Sequence, residues 1–272
     1  MSPNAEWPKL SVLWGRSPSS SDLEAELAAL RALGFARVAW TLDHAGSRDN
    51  PLVTERGRAR LAAAASRTGT SISSVIADYF ASRPLIGDTA RASALVLERT
   101  VGWAAALGAE RVVVRIPGEV VLRPEIAVEL ATHLLRALGL GAELGVGLAL
   151  AADAPASALV ELVQRVDHPA LGLAYHTGLA AERGRAVAAE VEALGQELTM
   201  LLLGDAEMGD GPRSLGHGRA SLPQVLGRVA RARPACDLVI APPAGDDARF
   251  EALRALNYVR LMCARGALGD AA

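Results

Sequence analysis

Lysine is almost missing from this chain. Lys9 is the one lysine among 272 residues, and arginine carries the rest of the fixed positive charge. Schiff-base aldolases and pyridoxal enzymes need a lysine amine as nucleophile or anchor. Lys9 opens the first apolar run, which is the wrong end of a strand for such a role, so both classes are disfavoured. Cysteine is equally scarce: Cys236 and Cys263 are too few and too scattered for a disulfide framework or a thiolate metal site. There is no basic run, and the net charge of -2 provides no field that draws in nucleic acid. No apolar stretch approaches the roughly 20 residues that cross a bilayer. Met1 to Lys9 lacks the apolar segment of a signal peptide. These absences lead to the expectation of a cytoplasmic protein with neither a membrane nor a nucleic-acid partner.

What is present is a rhythm. Eight times a short apolar run is followed by a loop and an amphipathic helix. The runs are Leu10–Trp14, Arg37–Leu42, Ser71–Ala77, Arg111–Ile116, Val146–Leu150, Leu171–Tyr175, Leu198–Leu203 and Leu238–Ala241. Helices are expected from Asp22 to the stop at Gly34, over about 54–68 with Gly69 as stop, and over about 90–107 with Gly108 as stop. Further helices are expected from near Pro124, and over about 157–166, 185–194, 222–232 and 247–262. Several runs are apolar without alternation, as in strands covered by helices on a parallel sheet. No linker or composition break divides residues 1–272. The expected architecture is one α/β domain, a (β/α)8 TIM barrel. A doubly wound sheet would usually carry a glycine-rich turn after an early strand, and none is present.

In such a barrel, chemistry sits at the C-terminal strand ends and in the loops after them. The polar inventory there comprises Trp14, Arg16, Thr41, Asp43, His44, Asp78, Tyr79, Arg115, Glu119, Asp153, Tyr175, His176, Thr177, Asp205, Glu207, the loop to Arg219 and Asp246. His176 is the leading candidate for a general base, with Asp153 or Asp205 as its acidic partner; the alternative is an imidazole held by hydrogen bonds with no chemistry. Arg115 is placed to grip a carboxylate or phosphate, or else to pair with Asp78 or Asp153. Trp14 and Tyr175 offer faces on which a sugar can stack, or core packing. The segment from Gly209 to Arg219 is rich in glycine. Arg213, His217 and Arg219 make it a candidate anion-binding loop or a plain flexible one.

Four segments resemble the sugar phosphate isomerase/epimerase family with a xylose isomerase-like TIM barrel. Ile76-Ala77-Asp78-Tyr79-Phe80 is similar to an Ala-Asp-Tyr-Phe stretch of some members. Tyr175-His176-Thr177-Gly178 resembles the family's Tyr-Asp-Thr-Gly-Asn. Leu201-Leu202-Leu203-Gly204-Asp205 sits where the family reads Val-His-Ile-Lys-Asp, and Leu215-Gly216-His217-Gly218 resembles Leu-Gly-x-Gly. The resemblance implies a divalent metal held by Glu, Asp, His and Glu at the ends of strands five to eight, with the two Glu as the acid–base pair. The matching positions here are Ala151, His176, Leu202 and Ala241. A hard cation wants oxygen ligands, and one imidazole does not hold it.

Three readings follow. The first is a degenerate barrel of this group, with no cofactor. It binds a sugar-like, acidic or phosphorylated small molecule, either without turnover or through metal-free proton transfer at His176 with Asp153 or Asp205. The second is an active isomerase or epimerase with a relocated metal site drawn from Asp43, His44, Asp78, Asp153, His176, Asp205 and His217. The third is a non-catalytic partner subunit, for which the small-residue helices offer packing surface; separately, a homo-oligomer is among the expected partners.

Overall fold

A computed structural model describes residues 9–15, 22–43, 49–121, 124–232, 235–243 and 247–269. Barrel strands are β1 (Leu10–Trp14), β2 (Arg37–Leu42), β3 (Ser71–Ala77), β4 (Arg111–Ile116), β5 (Gly147–Ala152), β6 (Leu171–His176), β7 (Leu198–Leu203) and β10 (Asp237–Ile240). Between β7 and β10 a two-stranded hairpin pairs β8 (Asp205–Glu207) with β9 (Gly211–Arg213). The helices are α1 (Leu23–Leu33), α2 (Glu55–Thr68), α3 (Tyr79–Ser82), α4 (Ala90–Ala106), α5 (Gly118–Val121), α6 (Pro124–Leu144) and α7 (Ala156–Val166). They continue with α8 (Thr177–Glu182), α9 (Val187–Leu194), α10 (Leu222–Ala232) and α11 (Ala248–Gly269).

The strands close in the order β1-β10-β7-β6-β5-β4-β3-β2, and the barrel strand pairs run parallel among the described residues. The fold is therefore the (β/α)8 barrel expected from the eightfold rhythm. Local chemistry sets the helix limits. Asp22 accepts the Ala25 N–H and caps α1, and Thr54 does the same for α2 through Gly57. Gly34 and Gly69 end those helices in the left-handed conformation that suits glycine. Leu27, Leu30, Leu61, Leu97, Leu130 and Leu134 are buried from the helices, each contributing about 1.5–3 kcal/mol relative to exposure.

Three local departures from the sequence expectation have physical causes. β5 runs to Ala152, because alanine carries no strand signal of its own. β10 begins at Asp237, which is buried although polar. The stretch after β6 contains the extra helix α8, too short to show periodicity.

By packing, the chain groups into two compact units: Leu13–Leu173, and the described residues up to Val12 together with those from Ala174 onward. The strand ends of each are taken in turn below.

Candidate functional site

In the Leu13–Leu173 unit, register assigns each strand's two faces, since alternate residues point to opposite sides. A Cβ on Gly141 of α6 would lie 3.3 Å from the Leu148 side chain, so Leu148 faces the helices. Gly147, Ala149 and Ala151 then face inward. Their register partners Arg111, Val113 and Arg115 share that face, as do Ser74 and Ile76, and Ala39 and Thr41. The inward face thus mixes small and polar residues with Val113 and Ile76, and the helix face is apolar.

At the strand ends of this unit the structure brings together Arg115 and Asp78, with Arg115 Nη1 donating to Asp78 Oδ1 at 2.9 Å. Both side chains keep some exposure, 29% and 20%. Trp14 does not offer its indole N–H freely: it donates to Glu26 of α1 at 3.0 Å. Trp40 donates to Asn50, whose amide in turn donates to the Thr41 carbonyl at 2.7 Å. Asp153 lies where the loop after β4 presses on the end of β5: a Cβ on Gly118 would come within 2.1 Å of the Asp153 carbonyl oxygen. Thr41 Oγ1 and Ser74 Oγ are buried and have no hydrogen-bond partner among the described residues. His44 lies outside the described residues, as do Arg16 and Asp246.

In the other unit, Tyr175 donates its hydroxyl to Glu190 of α9. That contact turns Tyr175 to the helix side and leaves Ala174 and His176 facing inward. Burial, then the hydrogen bond and charge of Glu190, push the Tyr175 hydroxyl well above its ordinary range. His176 is the N-cap of α8, its Nδ1 accepting the Leu179 N–H at 3.3 Å. The ring proton therefore sits on Nε2, so the imidazole is a donor there, and taking up a proton at Nδ1 requires giving up the cap. The ring packs on Gly204, where a Cβ would lie 2.7 Å from Cε1. Thr177 Oγ1 ties this end of β6 to the end of β7, donating to the Gly204 carbonyl at 2.6 Å and accepting its N–H at 3.0 Å.

Asp205 is 3% exposed, and its carboxylate is enclosed by backbone. Oδ1 accepts from Ala206 and Ala220 at 3.0 Å each, and Oδ2 accepts from Gly216 at 2.9 Å and Gly218 at 3.0 Å. The geometry is that of a clamp on the loop after the hairpin. Tyr258 of α11 lies against this loop. Its hydroxyl is raised above the ordinary value first by burial and then by the charge of Asp205. Ser214 donates to Glu251 of α11 at 2.6 Å, a second tie. Arg213 pairs with Asp210 within the hairpin. His217 and Arg219 are exposed, their backbone N–H groups bonded to Ser214 and Ala206.

At the positions where the resemblance implies metal ligands, Ala151, Leu202 and Ala241 are buried and carry no side-chain donor atom, and the Nδ1 of His176 accepts the cap bond of α8. Among the described residues, no group of three or more His, Cys, Asp or Glu side chains stands close enough to hold an ion. The partners that define the local roles, Glu26, Asn50, Glu190, Glu251 and Tyr258, were not singled out by the sequence. Each is distant along the chain or sits on a helix face, where acids and aromatics are ordinary.

With this geometry in hand, the solved structures place the fold. The chain is similar to a xylose isomerase domain protein from Planctomyces limnophilus, with a TM-score of 0.78 and 14% identity over 96% of this chain and 99% of that one. It is similar to a xylose isomerase-like TIM barrel protein from Mycobacterium smegmatis in complex with magnesium, with a TM-score of 0.74 and 15% identity over 98% and 99%. It is also similar to a D-psicose 3-epimerase with D-tagatose from Clostridium cellulolyticum H10, with a TM-score of 0.73 and 14% identity over 93% and 99%. The chain has the xylose isomerase-like TIM-barrel fold. No protein-family model matches it, and no curated protein sequence does.

Proposed function

We propose that this chain is a sugar isomerase/epimerase-like barrel that binds a small polar, sugar-like ligand at its strand ends without divalent-metal chemistry. The observation that carries the reading is the donor set: Ala151, Leu202 and Ala241 hold no ligand atom, and His176 uses Nδ1 to cap α8. A cation of the Mg²⁺ or Mn²⁺ type needs several oxygen donors, and the side chains at these positions supply none. The choice of a sugar-like ligand is supported by the fold, since proteins of the same fold include a D-psicose 3-epimerase and an L-ribulose 3-epimerase. It is also supported by the inward face near the strand ends, where Thr41 and Arg115 carry hydrogen-bonding groups.

The test is elemental analysis of the purified protein, followed by turnover of ketohexoses and sugar phosphates with and without chelator. The expected result is well under one equivalent of divalent metal, and a ligand-induced rise in melting temperature that chelator leaves in place. One tightly held equivalent of metal, lost together with turnover on chelation, overturns the reading in favour of an active enzyme with a relocated metal site.

A further inference from the structure

We propose that Arg115, held by Asp78, is the oxyanion-binding group of this site, and that the ligand is a small polyhydroxylated acid. The inference rests on the reading above that the strand ends bind a polar ligand. Arg115 is the register partner of Ala151, and its guanidinium stands on the same inward face of the strands.

The geometry leaves the fork usable. A guanidinium carries five N–H donors arranged for two parallel bonds to a carboxylate or phosphoryl group. Arg115 spends Nη1 on a single-point contact with Asp78 Oδ1. Among the described residues that is its one hydrogen bond, and its partial exposure leaves the group within reach of a ligand. Asp78 fixes the orientation and offsets part of the charge, so recognition rests on fork geometry more than on long-range attraction.

The surroundings favour a hydroxylated guest. Ala151, the register partner of Arg115, and Ala149 on the same face carry only a methyl group each. One register step deeper on the same face stands Thr41, in register with Ile76, its hydroxyl buried and unpartnered. A polar group left so is costly, and a polar guest offsets that cost.

Calorimetric titration of the full chain with sodium D-gluconate, neutral D-glucitol and inorganic phosphate tests this. Gluconate is expected to bind at least about tenfold more tightly than glucitol, the size of one charge-assisted contact. Arg115→Gln is expected to shrink that ratio below about threefold. Arg115→Lys, which keeps the charge but loses the fork, should recover part of it. Phosphate that displaces gluconate from the wild type and fails to bind Arg115→Gln supports the same oxyanion site with a phosphoryl head as its source. Equal binding of gluconate and glucitol to the wild type overturns the proposal and leaves the parent reading standing. An anion preference that survives in both Arg115 variants overturns the assignment to Arg115. Binding of neither polyol overturns both readings. The wild-type comparison decides even where Arg115→Gln does not fold.

Discussion

Asp205 shows how little a residue's type tells of its task. As an acid just past β7 it reads as a candidate for catalysis. In the fold its two oxygens collect four backbone N–H groups, three of them from the loop eleven to fifteen residues onward. No side-chain pattern announces bonds of that kind, because the donors are peptide groups. Asp205→Ala leaves those donors buried without partners. The expected loss is about 3 kcal/mol or more, with amide exchange over 214–220 accelerating toward unprotected rates. Asp205→Asn keeps one acceptor oxygen and should lose less; equal stability of all three proteins in urea unfolding would refute the clamp. His176 allows a similar separation. Asn is a good N-cap, so His176→Asn should unfold near the wild-type temperature, while His176→Leu should lose about 1 kcal/mol. Identical melting temperatures for the two variants would show that the cap contributes nothing.

Between elements, the bond from Tyr175 to Glu190 fastens β6 to α9, and it carries a pH signature. The folded state raises the Tyr175 pKa above its ordinary value of 10.0. A group whose folded pKa is raised binds its proton more tightly in the native state. Its contribution is therefore complete below about pH 10 and is lost as the solution becomes more alkaline. Thermal unfolding from pH 8 to 11 should show the melting temperature of the wild type falling more steeply above pH 10 than that of Tyr175→Phe. Parallel curves would mean that Tyr175 is not the responsible group. Sequence reading found the strand ending in Tyr175 but not the side it faces, because the partner lies on the next helix. The β8–β9 hairpin escaped for another reason: strands of three residues are too short to display alternation, and Gly209 and Gly211 read as plain loop.

For the whole molecule, the barrel was legible because strands covered on both sides must be apolar throughout, and glycine stops punctuate the helices. Runs such as Val112-Val113-Val114 and Leu201-Leu202-Leu203 are fully buried, as that logic requires. The site was less legible. Strand-end residues were found by position, and Asp78 was one of the two partners expected for Arg115, but Trp14 and Tyr175 each engage a helix carboxylate whose identity depends on three-dimensional packing. Stability on this view comes from apolar burial. Exhaustive dialysis against chelator should therefore move the melting temperature by less than about 1 °C, whereas a structural ion contributes through its binding free energy and its removal shifts the transition visibly.

The pairing of β1 with β10 also sets a timetable. Leu10, Ser11 and Val12 take Leu238, Val239 and Ile240 as neighbours, so β1 waits for a strand made after every other strand of the barrel. Until then its backbone edge is an open template for other chains. Contacts of such sequence separation slow folding and lengthen the exposure of incomplete sheets. The Leu13–Leu173 unit is continuous along the chain, and all of it leaves the ribosome before β10 is made; the other unit is assembled from both ends. Closure of the barrel is thus a late event in the life of the nascent chain, and slow translation or early release exposes the β1 edge first.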